Sequence, residues 1–301
     1  MWLVISLYIV FLLVFLLIPP LYDGIERKIR AKLHSRVGPP TVLQTWYDIL
    51  KLFKKELVVT DTGLLSILLG GLLLITVIIT ALSMPLGFNT PLTSSTASLV
   101  LFTVLLIGCQ LLWVSLSLTP GNPYATVGVF REAVLGMINE FFLVLGLVAL
   151  MFYIGSPSFA SMTSIRPSIT YALIFLLLAV SAYIGSGRIP YDIAEAEPEL
   201  ASGILIEFSG PLLGITLYSH FLKRAILYGL LADMIVLPLA RIIGVVGAAI
   251  LYPAILLIIW VIFEVISVLL GRTRVDIAPK SMLKIYIPLS IAILIAWIAG
   301  V

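Results

Sequence analysis

Residues 62–130 carry no Asp, Glu, Lys or Arg, a length of uncharged chain that a water-facing surface does not accommodate. A hydrocarbon core of ~30 Å takes ~20 apolar residues per helical crossing. The stretch is too long for one crossing and breaks where polar and turn-forming residues gather, at 85–96 and 119–125, so two helices fit inside it. Uncharged runs also cover 2–22 and 242–263. Hydrophobic residues fill 61% of the 301 positions and charged ones 11%, too few polar side chains to coat a soluble globule of this size. The solvent for most of the chain is therefore lipid.

Reading uncharged runs against breakers predicts an all-α polytopic membrane protein, one transmembrane domain over 1–301, with about eight helices near 2–22, 63–85, 98–118, 133–155, 169–187, 211–238, 242–266 and 282–300. The runs are continuous rather than alternating, which argues against a barrel wall. The first is too long for a typical signal core and has no Lys or Arg before it, so it reads as a helix. The sixth contains Lys223, Arg224 and Asp233 and is expected to be tilted, bent or lined by protein, with a break and snorkelling side chains the favoured reading for Arg224.

Positive charge sorts sharply between the two sides. The connections after helices one, three, five and seven hold fourteen Lys and Arg, Arg27 to Lys284, and the opposite connections hold only Arg166 and Arg241. Cytoplasmic loops collect Lys and Arg, which places the fourteen-residue side in the cytoplasm and both termini outside. The formal charge of +3 is then a topological bias, and nucleic-acid binding is a poor reading of it.

Within the first cytoplasmic connection, Leu43, Trp46, Ile49, Leu50 and Phe53 follow a helical period while Asp48, Lys51, Lys54 and Lys55 occupy the remaining surface. Such an amphipathic helix suits a membrane surface with anionic head groups or a docking platform for a soluble subunit. Between the fifth and sixth helices, Asp192, Glu195, Glu197 and Glu199 stand within eight positions, with Glu207 following. Clustered carboxylates repel, and a partly protonated acid chain can relay protons or respond to charge; a merely solvated acidic loop is the bland alternative. Glu140 and Glu264 sit within apolar spans, where a charge is costly and faces a polar cavity or a partner. Arg131 and Glu132 are expected to open the fourth helix, where an acid favours the positive helix end.

No Walker loop, dinucleotide fingerprint, zinc pair, cysteine cluster or nucleophile elbow is present. His34 and His220 are isolated and read as loop and packing residues. Cys109 alone can neither close an intrachain disulfide nor ligate an iron–sulfur cluster, so no catalytic, metal or cofactor site is assigned to this chain.

The order of motifs resembles one membrane-subunit family of NADH:quinone oxidoreductase (complex I), the family known in mitochondria as subunit 1. The resemblance rests on Glu26-Arg-Lys with Arg36-Val-Gly-Pro, on the segment from Arg131 to Glu140, and above all on Arg188-x-Pro-Tyr-Asp-x-x-Glu-x-Glu-x-Glu-Leu followed by Glu207-Phe-Ser-Gly. It implies eight transmembrane helices, a surface that receives cytoplasmic redox subunits, and a chain of acids leading into the membrane. Leu33-His-Ser before Arg36, the second proline Pro40, and Glu264 in the seventh helix are more similar to the corresponding subunit of membrane-bound hydrogenases, formate hydrogenlyases and sulfur-reducing complexes. That branch implies iron–sulfur clusters and a nickel–iron centre in partner subunits, hydrogenase-large-subunit-like soluble chains, antiporter-like and small membrane subunits, and a prokaryotic cytoplasmic membrane.

On this reading Asp192, Glu195, Glu197, Glu199 and Glu207 form the interface end of a proton or coupling pathway that Glu132, Glu140 and Glu264 continue inward. Glu26, Arg27, Arg30, Arg36, Trp46, Asp48, Lys51, Phe53, Arg131 and Arg188 face the soluble arm. The ion moved is a proton or sodium. Two alternatives stay open: the quinone-binding subunit of a donor:quinone oxidoreductase, and a stand-alone secondary transporter with polar residues at the bilayer midplane.

Overall fold

In the computed structural model the described residues are 2–58, 63–89, 93–165, 167–194 and 203–300, with side chains from residue 8 onward. They form α1 (Trp2–Leu33), α2 (Gln44–Phe53), α3 (Gly63–Leu82), α4 (Ser98–Leu118), α5 (Pro123–Ile154), α6 (Ile169–Gly185), α7 (Gly210–Leu269) and α8 (Ala278–Ile298), plus 3-10 turns at Phe159–Ser164 and Gly203–Leu205. Among the described residues there is no strand. Six of these helices are long and apolar enough to cross a membrane, and α6 is a shorter apolar helix.

The helices are apolar on both faces, and on α3 the small and weakly polar residues lie on the inner one. On α3, Leu64, Leu68, Leu72, Ile75 and Ile79 are exposed while Ser66, Gly70, Leu73 and Val77 are buried. Lipid offers no hydrophobic penalty to the large outer residues, so small and weakly polar residues take the helix contacts, where they allow close approach.

Three elements differ from expectation for identifiable reasons. Helix α1 does not stop at 22 but runs to Leu33 through Pro19 and Pro20. Its charged end stays helical because Asp23 pairs with Arg27 (2.9 Å) and Glu26 with Arg30 (2.9 Å), each one turn apart. Helix α5 begins at Pro123, with the Asn122 side chain accepting from the Tyr124 amide, a good N-cap followed by proline at the first helical position. Arg131 and Glu132 therefore lie more than two turns inside the helix.

The third difference is α7. At 1.5 Å per residue its 60 residues would extend ~90 Å, about three bilayer cores. Gly244 breaks the run with φ 73° and ψ 172°, a conformation essentially restricted to glycine. Tyr228 meets Trp260 and Phe263 at ring centroid distances of 5.1 and 5.0 Å, so the arms 210–243 and 245–269 fold back on one another. No break occurs near Arg224, which is enclosed in a continuous arm.

Gly244→Val should therefore strain the hairpin by about 1–3 kcal/mol. The expected outcome is a lower midpoint for loss of the monodisperse peak after heating in detergent, measured by size-exclusion chromatography, with Gly271→Val, at an exposed position with open space around it, as the unaffected control.

Candidate functional site

The fold brings four segments together at the end of the bundle where α1 finishes and α7 starts. Arg188, in the connection after α6, is buried at 3% exposure. Its Nη2 donates to Glu26 Oε2 of α1 at 2.6 Å, its Nη1 donates to Glu264 of the second α7 arm, and its Nε donates to the Tyr228 hydroxyl of the first arm at 2.7 Å. Burial alone would lower the Arg188 guanidinium pKa, but the pull of Tyr228, Glu26 and Glu264 outweighs it and holds the group above its ordinary value. Trp260 Nε1 donates to the same Glu26 oxygen at 2.6 Å, and Tyr228 donates its own proton to Ser186 Oγ at 2.8 Å. Arg30 reaches in from the surface to bond Glu264 (2.6 Å) and Glu26 (2.9 Å). Two buried acids are thus shared by two arginines, and every fork of Arg188 is used.

Arg224 stands next to this pair more loosely, with Nη1 at 3.6 Å from Glu26 and 3.9 Å from Asp23. Its Nη2 donates to the Ser186 carbonyl at 3.1 Å and lies 3.4 Å from His220 Nε2, an arrangement in which the imidazole nitrogen accepts. Asp23 is held by Thr45 of α2 (2.7 Å) and by Arg27, which also bonds Asp48 of α2 at 3.0 Å. Helix α2 is thereby clamped onto the charged end of α1.

A cavity of ≈ 280 Å³ opens among these groups, lined by Asp23, Glu26, Arg224, His220, Lys223 and Glu132 among others. A second cavity of ≈ 20 Å³ lies deeper, bordered by Gln110, Glu132, Asn139 and Glu140, with room for about one water. Glu132, Gly185, Gly187 and Tyr191 border both. Gln110 of α4 joins them, donating to Glu132 at 3.1 Å and accepting from Lys223 Nζ. Gly136 makes room for it, since a Cβ there would stand 2.6 Å from Gln110 Nε2. Glu140 Oε2 is buried with no hydrogen-bond partner. Beyond it, Asn139 Oδ1 accepts from Ser181 (3.2 Å) and Tyr286 (2.5 Å). A polar thread thus runs from the arginine cluster into the apolar bundle.

The expected site residues divide accordingly. Glu26 and Arg188, read as facing a soluble arm, are buried inside the bundle, because each is the other's counter-charge. Glu264, read as the inner continuation from Glu140, belongs to the arginine cluster. Glu132 and Glu140 do border the thread. Asp192 sits beside it, with Arg272 donating to it at 2.7 Å; burial pushes its carboxyl above the usual carboxylate range against the pull of Arg272. Glu207 accepts from Asn122 and is held apart from the cavity lining. Glu195, Glu197 and Glu199 lie outside the described residues.

Of the remaining surface candidates, Arg27 and Asp48 pair with each other, and Arg36, Lys51 and Phe53 are exposed. Arg131 borders a separate apolar cavity with Val127 and Phe130. Trp46 turns toward the bundle, donating to the Leu17 carbonyl at 3.2 Å, with its ring tilted against Tyr218 at a centroid distance of 6.0 Å. Asp23, Gln110, Tyr228 and Trp260 were not singled out from sequence. Only Asp23 carried a signal, its one-turn spacing from Arg27. Among the described residues no three His, Cys, Asp or Glu gather as a metal site.

Residues 5–298 match the NADH dehydrogenase family. The chain belongs to that family, whose members are membrane subunits of respiratory oxidoreductase complexes. It is 32% identical to hydrogenase-4 component C of Escherichia coli (strain K12) over 76% of this chain and 74% of the relative. It is 29% identical to formate hydrogenlyase subunit 4 of the same strain over 89% and 91%. A membrane subunit of NADH-quinone oxidoreductase from Flavobacterium psychrophilum matches at 26% over 69% and 66%. A chain in the structure of the membrane-bound sulfane sulfur reductase, an archaeal respiratory membrane complex, superposes with a TM-score of 0.80 at 21% identity, covering 95% of this chain and 97% of that one. This family member is accordingly a multi-pass membrane protein with partner subunits in the membrane.

Removing one member of a buried ion cluster leaves uncompensated charge, at a cost of about 3–5 kcal/mol. Arg188→Met should therefore sharply lower the thermal midpoint of the purified protein, and Arg188→Lys should recover only part of the loss because a lysine cannot bond both acids and Tyr228 in a fixed fork. Arg272→Ala, which breaks a half-exposed pair, should change stability by no more than about 1 kcal/mol.

Proposed function

We propose that this chain is the coupling subunit of a hydrogenase-like or sulfur-reductase-like respiratory complex, linking electron transfer in a cytoplasmic iron–sulfur and nickel–iron arm to movement of protons or sodium ions in antiporter-like membrane partners. The observation that carries the reading is the shared coordination of Glu26 and Glu264 by Arg188 beside a cavity whose lining continues through Glu132, Gln110 and Lys223 to Glu140. In such a cluster the charges balance only as a set. A proton arriving on Glu26 or Glu264 leaves Arg188 with one excess positive charge in a low-dielectric site, and the arginine must re-pair. Asp23 and Glu132 border the same cavity, so a change of charge at the cytoplasmic end is transmitted into the membrane as a change of pairing.

In the proposed scheme Asp192, bonded by Arg272, stands at the mouth of this route, and Glu195, Glu197 and Glu199, which lie outside the described residues, are assigned by sequence to the same interface end, at the surface that receives the soluble arm. Arg36, Lys51 and Phe53 present that surface. The crossings number eight, with α6 and the two arms of α7 each counted, the basic connections cytoplasmic and both termini outside. The charged lining of the larger cavity and the identities to hydrogenase-4 component C and formate hydrogenlyase subunit 4 favour this branch over a quinone site, and membership of a family of complex subunits favours it over a stand-alone transporter.

Cysteines placed at Lys32 and at Ser95 in otherwise cysteine-free protein should label with an impermeant reagent from opposite faces, Lys32 from the cytoplasmic side; the reverse labelling would reject the orientation.

Glu140→Gln keeps the shape and an acceptor but cannot change charge. In reconstituted complexes ion movement per electron should fall at least several-fold while partner subunits still co-purify. Full ion movement per electron in an assembled Glu140→Gln complex would sink the role given to the thread.

A further inference from the structure

Away from Arg188, toward the α3–α4 connection, the first arm of α7 carries a second buried acid that the thread does not use. Asp233 is fully buried. Its Oδ1 accepts from the Gly87 amide at 2.7 Å, and its Oδ2 has no hydrogen-bond partner. Among the described residues it forms no ion pair, in contrast to the clustered acids at the other end. The backbone around the acid is unusual too: Leu86 and Gly87 are consecutive left-handed residues, with φ of 51° and 90°. A leucine seldom adopts that conformation, and successive left-handed or turn residues aim their amides into an anion-binding concavity. A backbone outlier that closes around one buried carboxyl is the kind of local strain that accompanies a functional site.

The second orphan group at this place is the Tyr252 hydroxyl, buried and without a partner. It lies 2.5 Å from the position a Cβ on Gly229 would take. Gly229 is one turn before Asp233 on the same helix face. The Tyr252 Cβ is 2.9 Å from the corresponding position on Gly87, whose amide binds Asp233. Asp233 and Tyr252 thus both meet Gly87, and each ends in a buried polar atom without a partner. A carboxylate here requires one positive charge, because an isolated ion in an apolar core is costly and is neutralised instead. Among the described residues no three His, Cys, Asp or Glu gather here as a metal site. A single proton meets the need.

We propose that Asp233 is a proton-carrying site in the half of the bundle opposite the arginine cluster, its acid proton carried on the unpartnered Oδ2 with the buried Tyr252 hydroxyl as a neighbouring polar group. The site is loaded as the neutral acid and empty as the carboxylate, when the Gly87 amide holds one oxygen of the charged group. It extends the proposed ion route toward the far side of the membrane, and only its transport readout rests on that route.

The test uses the purified, reconstituted complex. Infrared difference spectra between oxidised and reduced states should contain a carboxylic C=O band that shifts in D₂O, disappears in Asp233→Asn and moves in Tyr252→Phe. Asparagine retains the acceptor for the Gly87 amide, so assembly should hold while proton movement per electron falls several-fold, with Tyr252→Phe acting in the same direction. The proposal is overturned if no band is lost in Asp233→Asn, if sodium abolishes the band in the native complex, or if both variants move protons fully. Should Asp233→Asn fail to assemble, Tyr252→Phe, which leaves the Gly87 contact intact, decides: an unmoved band overturns the proposal. Full transport in Glu140→Gln would remove the coupling scheme and leave the band assignment standing or falling by itself.

Discussion

The rest of the structure depends on one guanidinium. Arg188 neutralises acids that lie 162 residues upstream and 76 downstream in the chain, and through Tyr228 it also holds the first arm of α7. Four segments with no local reason to meet are fixed to a common point by charge, in a medium where hydrophobic burial does not drive helices together. The cost of putting these ions into the bundle is offset only because every guanidinium edge has an acceptor and each acid has more than one donor. That requirement also explains why α1 continues past the lipid core. Its last turns are the scaffold for Asp23, Glu26, Arg27 and Arg30, and without them Arg188 would lose one of its two acids and α2 its Thr45 and Asp48 bonds.

Much of the fold was legible from charge alone. In lipid the backbone must satisfy itself within each segment, so an uncharged run of sufficient length implies a helix almost regardless of its residues, and α3, α4 and α6 fall close to where the runs put them. The departures come where charge and helix coexist. The span expected to end at Tyr22 continues because acid–base pairs one turn apart replace apolar contact as the reason to stay helical. Arg224 looked like a snorkelling residue at a break, but snorkelling requires a nearby interface, and this arm offers acceptors inside instead. Gly244 was one glycine among 22 in the sequence; only its backbone angles distinguish it.

The candidate site was legible in part. Glu140 could be found because an acid in an apolar span has to face something polar, whereas Glu132 read as a helix-opening acid and joined the pathway only through the family resemblance. Glu26 and Arg188 were read as surface groups because sequence gives the presence of a charge and not its partner, and partners 162 residues apart are set by topology. Glu264 was misplaced for the same reason: hydropathy sees an acid in a span, while its position across from Arg30 follows from how the second arm of α7 returns. Gln110 had no signal at all. A single uncharged amide in a helix is unremarkable until Glu132 and Lys223 are found on either side of it, where it is the one side chain able to donate to the first and accept from the second.

The two buried electrolytes answer to different inputs. At the arginine cluster positive and negative groups are matched, so in the proposed scheme its state follows the balance of nearby charge and its response is a change of partner. Among the described residues Asp233 has no counter-ion to exchange. The Gly87 amide holds one oxygen and the other has no hydrogen-bond partner, so in the proposal the variable is whether a proton is present. A cluster that rearranges under a field, and an acid whose charge is set by occupancy, are the two parts needed if electrical work at one end of a bundle is to be converted into a displaced proton at the other. They lie on the same arm of α7, and residues 224 and 233 are separated by ~13 Å of helix rise. In the proposed scheme a shift of that arm on re-pairing of Arg224 and Arg188 would carry Asp233 with it, since Arg224 and Asp233 lie on one continuous helix.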